Sequence, residues 1–171
     1  MSERLVGVIP HVLMATGRIQ SMQYTLVVTS SRLIFARLGA AQMQEAMAQS
    51  KARAKGFIEK LAAGRVLTPK DIVEYCRRYF AMTPDSILTE SPENYSIPVE
   101  GISKIYIDRI VEPKDEDSHI RMDKYTMTLL HTAGKNDYVI DADPQDLGIL
   151  RHVLGEKVQG SGRSKPIRPP F

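Results

Sequence analysis

The sequence predicts an α+β fold: a partly open antiparallel β-barrel capped by a C-terminal helix, with a helical insertion between strands 3 and 4. Three observations carry this prediction. Residues 24–38 alternate apolar and polar positions as two strands around a turn. From Ala40 the period becomes helical, and strand character returns only at "IPVEGISKIYI". The last patterned segment, residues 143–155, is one helix with a one-sided apolar stripe, which suits it to plug the open end of a curled sheet.

Each element has its own signal. Residues 4–14 read as a first strand, and "ATGR" as a turn. In the hairpin that follows, a Ser30-Ser31 turn sets Val28 opposite Leu33 and Leu26 opposite Phe35. These four share one face. Thr25, Thr29 and Arg32 fall on the other, which Val27 and Ile34 make semi-apolar, so the sheet is expected to have one well-buried side. Residues 40–63 form a helix that Gly64 ends, with an approximate stripe of Met43, Met47, Ala54, Phe57, Ile58 and Leu61. Thr68, Pro69 and Asp71 are a helix start, a cap followed by proline and by a carboxylate three positions on. Its buried side is expected to hold Ile72, Val73, Cys76, Tyr79 and Phe80. Thr83-Pro84 opens a short helix through Leu88.

Strands resume at Ile97. Residues 112–119, "EPKDEDSH", are a charged loop, expected to be mobile. A Gly134-Lys135 turn sets Leu129 opposite Ile140 and His131 opposite Tyr138. Asp143, Pro144 and Asp146 start the last helix, whose stripe is Leu147, Leu150, Val153 and Leu154, and Gly155 ends it. The domain reading is residues 1–39 and 91–155 as barrel with C-terminal helix, 40–90 as inserted helical subdomain, and 156–171 as a flexible, basic, Pro-rich tail.

Composition narrows the class. The chain has 171 residues, 43% hydrophobic and 25% charged, ordinary values for a globular protein. No run approaches the roughly 18 apolar residues of a membrane span. The N-terminus lacks a cleavage-site pattern, so no signal peptide is expected. A single cysteine, Cys76, excludes an internal disulfide and fits a reducing, cytoplasmic setting. The net charge of +3 is uneven: residues 40–82 carry +4 and residues 83–155 carry −7.

The stretches "YTLVVTSSRLIFARL", "IPVEGISKIYI" and "KYTMTLLHTAGKNDYVIDADPQDLGILRHVL" together resemble the prokaryotic pleckstrin-homology-like domains of GRAM-like type. The resemblance covers roughly residues 4–38 and 96–155 and leaves 40–90 as an insertion. It implies a partly open barrel and a binding or adaptor role. It does not carry ligand residues over: the first hairpin loop offers only Arg18, and the chain has no tryptophan.

Catalytic patterns are missing: no nucleophile elbow, phosphate loop, H-E-x-x-H or C-x-x-C is present. No enzyme activity, cofactor, metal site or small-molecule substrate is therefore expected. Cys76 falls on an apolar helix face and reads as a buried, inert thiol. His11, His119, His131 and His152 show no ligand spacing. "DED" at 115–117 lacks the glycine and closing glutamate of a calcium loop. The candidate contact residues are the cations of the insertion: Lys51, Arg53, Lys55, Lys60, Arg65, Arg77 and Arg78. The expected function is a non-catalytic module that binds another protein, or a second copy of itself. The alternative is electrostatic binding of an anionic membrane surface or nucleic acid through the insertion and tail.

Overall fold

The computed structural model describes residues 3–15, 21–54, 56, 67–110 and 123–160. Eight strands form one open sheet: β1 (Leu5–Ala15), β2 (Ser21–Thr29), β3 (Arg32–Arg37), β4 (Tyr95–Pro98), β5 (Ile102–Arg109), β6 (Asp123–His131), β7 (Gly134–Ala142) and β8 (Val158–Gln159). Their order is β4-β3-β2-β1-β7-β6-β5-β8. Every pairing is antiparallel except that of β5 with β8. Among the described residues the helices are α1 (Ala40–Arg53), α2 (Pro69–Cys76), α3 (Pro84–Thr89) and α4 (Pro144–Leu154). A 3-10 turn over Arg77–Ala81 follows α2 directly.

The hairpin pairs in the expected register, Val28 with Leu33 and Leu26 with Phe35. Those side chains enter a core with Ile9, Val12, Ile105, Met127, Leu129 and Ile140. Leu147, Leu150 and Leu154 of α4 close that core. The N-terminus of α4 starts as predicted, with Pro144 in the first turn and the Asp146 carboxylate accepting from the Asp143 N–H at 3.3 Å. Gly155 ends it at a φ of +56°, which a residue with a Cβ adopts only under strain. At the other end of the contact, Gly7 lets α4 approach β1: a Cβ there would lie 2.5 Å from Ile149 Cδ1.

The sheet is buried on both sides across β2 and β3, not on one. Val27, Ile34, Ala36 and Leu38 form a second core with Ala46 of α1, Ile72, Tyr75 and Cys76 of α2, Tyr79 of the 3-10 turn and Ile87 of α3. The alternation predicted the inner face. It did not predict the outer one, because what covers Val27 and Ile34 arrives from residues far along the chain.

Other expectations are corrected. Helix α1 ends at Arg53 rather than residue 63, and residues 55 and 57–66 lie outside the described residues. Its buried positions are Ala46 and Ser50, while Met43 and Met47 are only half-buried. Small side chains let α1 lie close, and Ser50 Oγ donates to Asp71 Oδ1 at 2.7 Å. Val73 is half-buried and Phe80 is exposed. The β6–β7 turn is Thr132-Ala133, and His131 pairs with Gly134. Gly134, at a φ of +135°, opens β7 in a conformation reserved for glycine instead of occupying the turn centre. The resulting slip is four residues, an even number, so the inward faces are kept. Residues 112–119 are outside the described residues. The start of the tail is not free: Val158 and Gln159 pair beside Ile105 and Tyr106, and Lys157 Nζ donates to the Val99 carbonyl at 2.9 Å.

Candidate interaction face on the helical excursion

The described residues of the 40–90 segment reach the sheet as α1, α2, the 3-10 turn and α3. Two caps fix where the later helices begin. Thr68 Oγ accepts from the Asp71 N–H while Asp71 Oδ2 accepts from the Thr68 N–H at 3.0 Å. Thr83 Oγ accepts from the Ser86 N–H at 3.2 Å. Between these starts the helix tightens into a 3-10 turn over Arg77–Ala81, ahead of the Thr83-Pro84 start.

Arg78 sits at the junction. Its guanidinium lies 4.2 Å from the Tyr75 ring centroid and 5.0 Å from that of Tyr79. It pairs with Glu45 of α1 at 3.2 Å and with Glu90 beyond α3. The Tyr75 hydroxyl donates to Glu45 at 2.8 Å and the Tyr79 hydroxyl to Glu90 at 3.3 Å. Burial, reinforced for Tyr75 by Glu45 and for Tyr79 by Glu90, raises both phenols, Tyr79 to about 12. Arg78 therefore staples three segments together and is spoken for. The guanidinium expected as a possible contact cation lies here against two rings and two carboxylates.

The other predicted cations divide differently. Arg53 and Arg77 flank Glu74, at 3.5 Å and 3.1 Å. Lys51 is exposed on the last turn of α1. Lys55, Lys60 and Arg65 lie outside the described residues, as does Arg18. So Arg53 and Arg77 share Glu74, while Arg78 pairs with Glu45 and Glu90, three carboxylates in all.

Phe80 was missed. An α-helical period continued through residue 80 places it on the buried side, but the switch to about 3 residues per turn at Arg77 rotates it outward. It is 60% exposed, while its neighbour Tyr79 is fully buried. Glu74, Arg77 and Phe80 are three residues apart, and i and i+3 eclipse in the 3-10 turn, which sets Phe80 beside Arg77.

Cys76 is where the period put it, 2% exposed, with its sulfur 3.1 Å from Thr25 Oγ1 on β2. Burial pushes the thiol up to about 11 and keeps it protonated. No helix among the described residues is long and apolar enough to cross a membrane.

Comparison with known proteins adds little. No family model and no curated protein matches this sequence. Among solved structures, the C-terminal domain of an unknown protein from Leishmania infantum is similar at a TM-score of 0.40 and 10% identity, covering 89% of this chain and 84% of its own. The hSac2 domain from human phosphoinositide phosphatase Sac2 is similar at the same score and identity, covering 98% of this chain and 85% of its own.

Proposed function

We propose that this chain is a non-catalytic protein-binding module whose contact face is the outer side of the helical excursion, with Phe80 as its anchor. The observation that supports this reading is the exposure of a large aromatic side chain on a segment that is otherwise locked down. Exposed single apolar residues are common, but this one stands on a backbone anchored by its buried neighbour Tyr79 and by the ion pairs of Arg78. Aromatic side chains on pre-ordered backbone contribute most per residue at interfaces, because little entropy is lost on binding.

The scaffold in this reading is a pleckstrin-homology-like barrel with an insertion between its third and fourth strands, in a cytoplasmic setting. Seven antiparallel strands followed by a core-closing helix support the first part, and the lone buried thiol supports the second. The electrostatic alternative is less favoured, since Arg53, Arg77 and Arg78 already have carboxylate partners.

The test is a Phe80→Ser substitution. Retention of partners from native lysate, or the mass by light scattering if the partner is a second copy, is compared with wild type. The variant should melt within about 0.5 kcal/mol of wild type, as exposed sites do, yet lose the bound protein. Undiminished binding by the folded variant would overturn the assignment of the face. Binding to heparin or anionic vesicles that falls steeply with salt would favour the electrostatic alternative.

A further inference from the structure

Beneath the start of α2 lies a buried pair of titratable groups that the proposed contact face does not use. Strand β1 pairs with β2 at Ile9–Leu26 and again at Val12–Tyr24, so Pro10 and His11 together oppose the single residue Thr25. Pro10 has no N–H to give the ladder, and the chain bulges there. Ile9 and Val12 both point into the inner core. The bulge leaves His11 to the outer side, 7% exposed.

Two contacts define its setting. The Pro69 carbonyl, in the first turn of α2, accepts a hydrogen bond from the ring, and Asp141 is its cross-strand neighbour on β7. Nε2 of His11 and Oδ1 of Asp141 are both buried and both lack a hydrogen-bond partner. Orphaned polar atoms are rare in folded proteins, and two at adjoining positions mark one place where burial is held at a cost.

We propose that His11 is a proton-operated latch: neutral, it holds the start of α2 on the β1–β7 seam, and protonated, it lets that end of the excursion lift into water. The physical asymmetry is desolvation. A neutral imidazole is tolerated in this position, whereas an imidazolium must give up its hydration there. Burial is accordingly the main effect holding the ring below its ordinary value, with Pro69 and Asp141 opposing it. A group lowered in the closed state stabilises that state above the ordinary histidine range. The contribution is lost as pH falls through the lowered value.

The charged groups on the elements packed around His11 are few. Asp141 faces it, and Lys124 on β6 lies across from Asp141. Helix α2 brings Lys70, Asp71 and Glu74, the last paired with Arg53 and Arg77, and the 3-10 turn brings Arg77, Arg78 and Tyr79. Asp71 is held below its ordinary value against its burial by bonds from Thr68 and Ser50, so it stays ionised in mild acid. Arg78 and Tyr79 are both raised from their ordinary values, so their charge states do not change across the same range.

Cys76 supplies the readout, being the one cysteine of the chain and buried under the same helix. Its labelling rate with a pyridyl disulfide is measured from about pH 7.5 to about pH 5, the histidine range. Each rate is divided by that of the urea-unfolded chain at the same pH, which removes the thiolate fraction. The normalised rate should rise at least about threefold toward acid in wild type and stay flat in His11→Gln. In Asp141→Asn the rise should be steeper, because the imidazolium loses its nearest counter-charge. A flat wild-type profile, or an equal rise in His11→Gln, would overturn the latch. If His11→Gln does not fold, Asp141→Asn decides: a steeper rise supports the latch and an unchanged or weaker one refutes it. Binding by the Phe80 face does not enter this experiment.

Discussion

Ile34 and Phe35 are adjacent on β3, both fully buried, and enter different cores. Truncating each to Ala separates a one-sided sheet from a two-sided one. Ile34→Ala deletes three carbons, about 2.4 kcal/mol at roughly 0.8 kcal/mol per methylene. The cavity left between Val27 and α2 adds to this, for a total of about 3 kcal/mol. Phe35→Ala removes a ring stacked with those of Tyr95 and Tyr138, each centroid 4.8 Å away. Its loss should be about 4 kcal/mol. Urea melts of the two variants supply the assay. With slopes of about 1–3 kcal/mol per molar, each midpoint should fall by on the order of 1–3 M. If the excursion only hovers over the sheet, Ile34 is effectively a surface residue and its truncation lies within about 0.5 kcal/mol of neutral. A loss below about 1 kcal/mol at Ile34 beside a loss above about 3 at Phe35 would refute the second core.

Two further outcomes follow from the same packing. Arg78→Ala should destabilise by about 2–4 kcal/mol in urea melts, since Glu90 and Tyr79 lose their partner; the side chain's 22% exposure holds this below the cost of a fully buried pair. Arg78→Lys should recover only part of it, because an ammonium cannot stack flat between two rings while bridging two carboxylates. Deleting residues 157–171 should lower stability by about 1–3 kcal/mol, as Val158 leaves the edge of the inner core and the Lys157 bond to Val99 is lost. An unchanged melt would return the whole tail to the flexible status that its composition suggests.

How much was legible in the sequence can be seen by residue. Leu26, Val28, Leu33 and Phe35 announced their face, because a period of two is a local property of a strand. Thr68-Pro69 and Thr83-Pro84 announced helix starts, because capping is satisfied within four residues. Asp143-Pro144 did so for α4 in the same way. The α+β order of strands, helices, strands and a closing helix could be written down from such signals alone. The outer core could not. Val27 and Ile34 look like the lesser half of an amphipathic hairpin until α2 and α3 are laid on them, and sequence distance hides that meeting. The positions of Arg78 and Phe80 were decided at the same level. A cation reads the same in a string whether it faces water or is stacked between Tyr75 and Tyr79, and only the folded chain brings Glu45 and Glu90 to it. Phe80 turns outward because three residues per turn replace 3.6 at Arg77, a choice set by where α2 must stop and α3 begin. Local hydrogen bonding and alternation are encoded within a few residues. Burial is a property of what arrives from elsewhere, so the sequence determined the elements and the tertiary structure decided which of their faces are left for a partner.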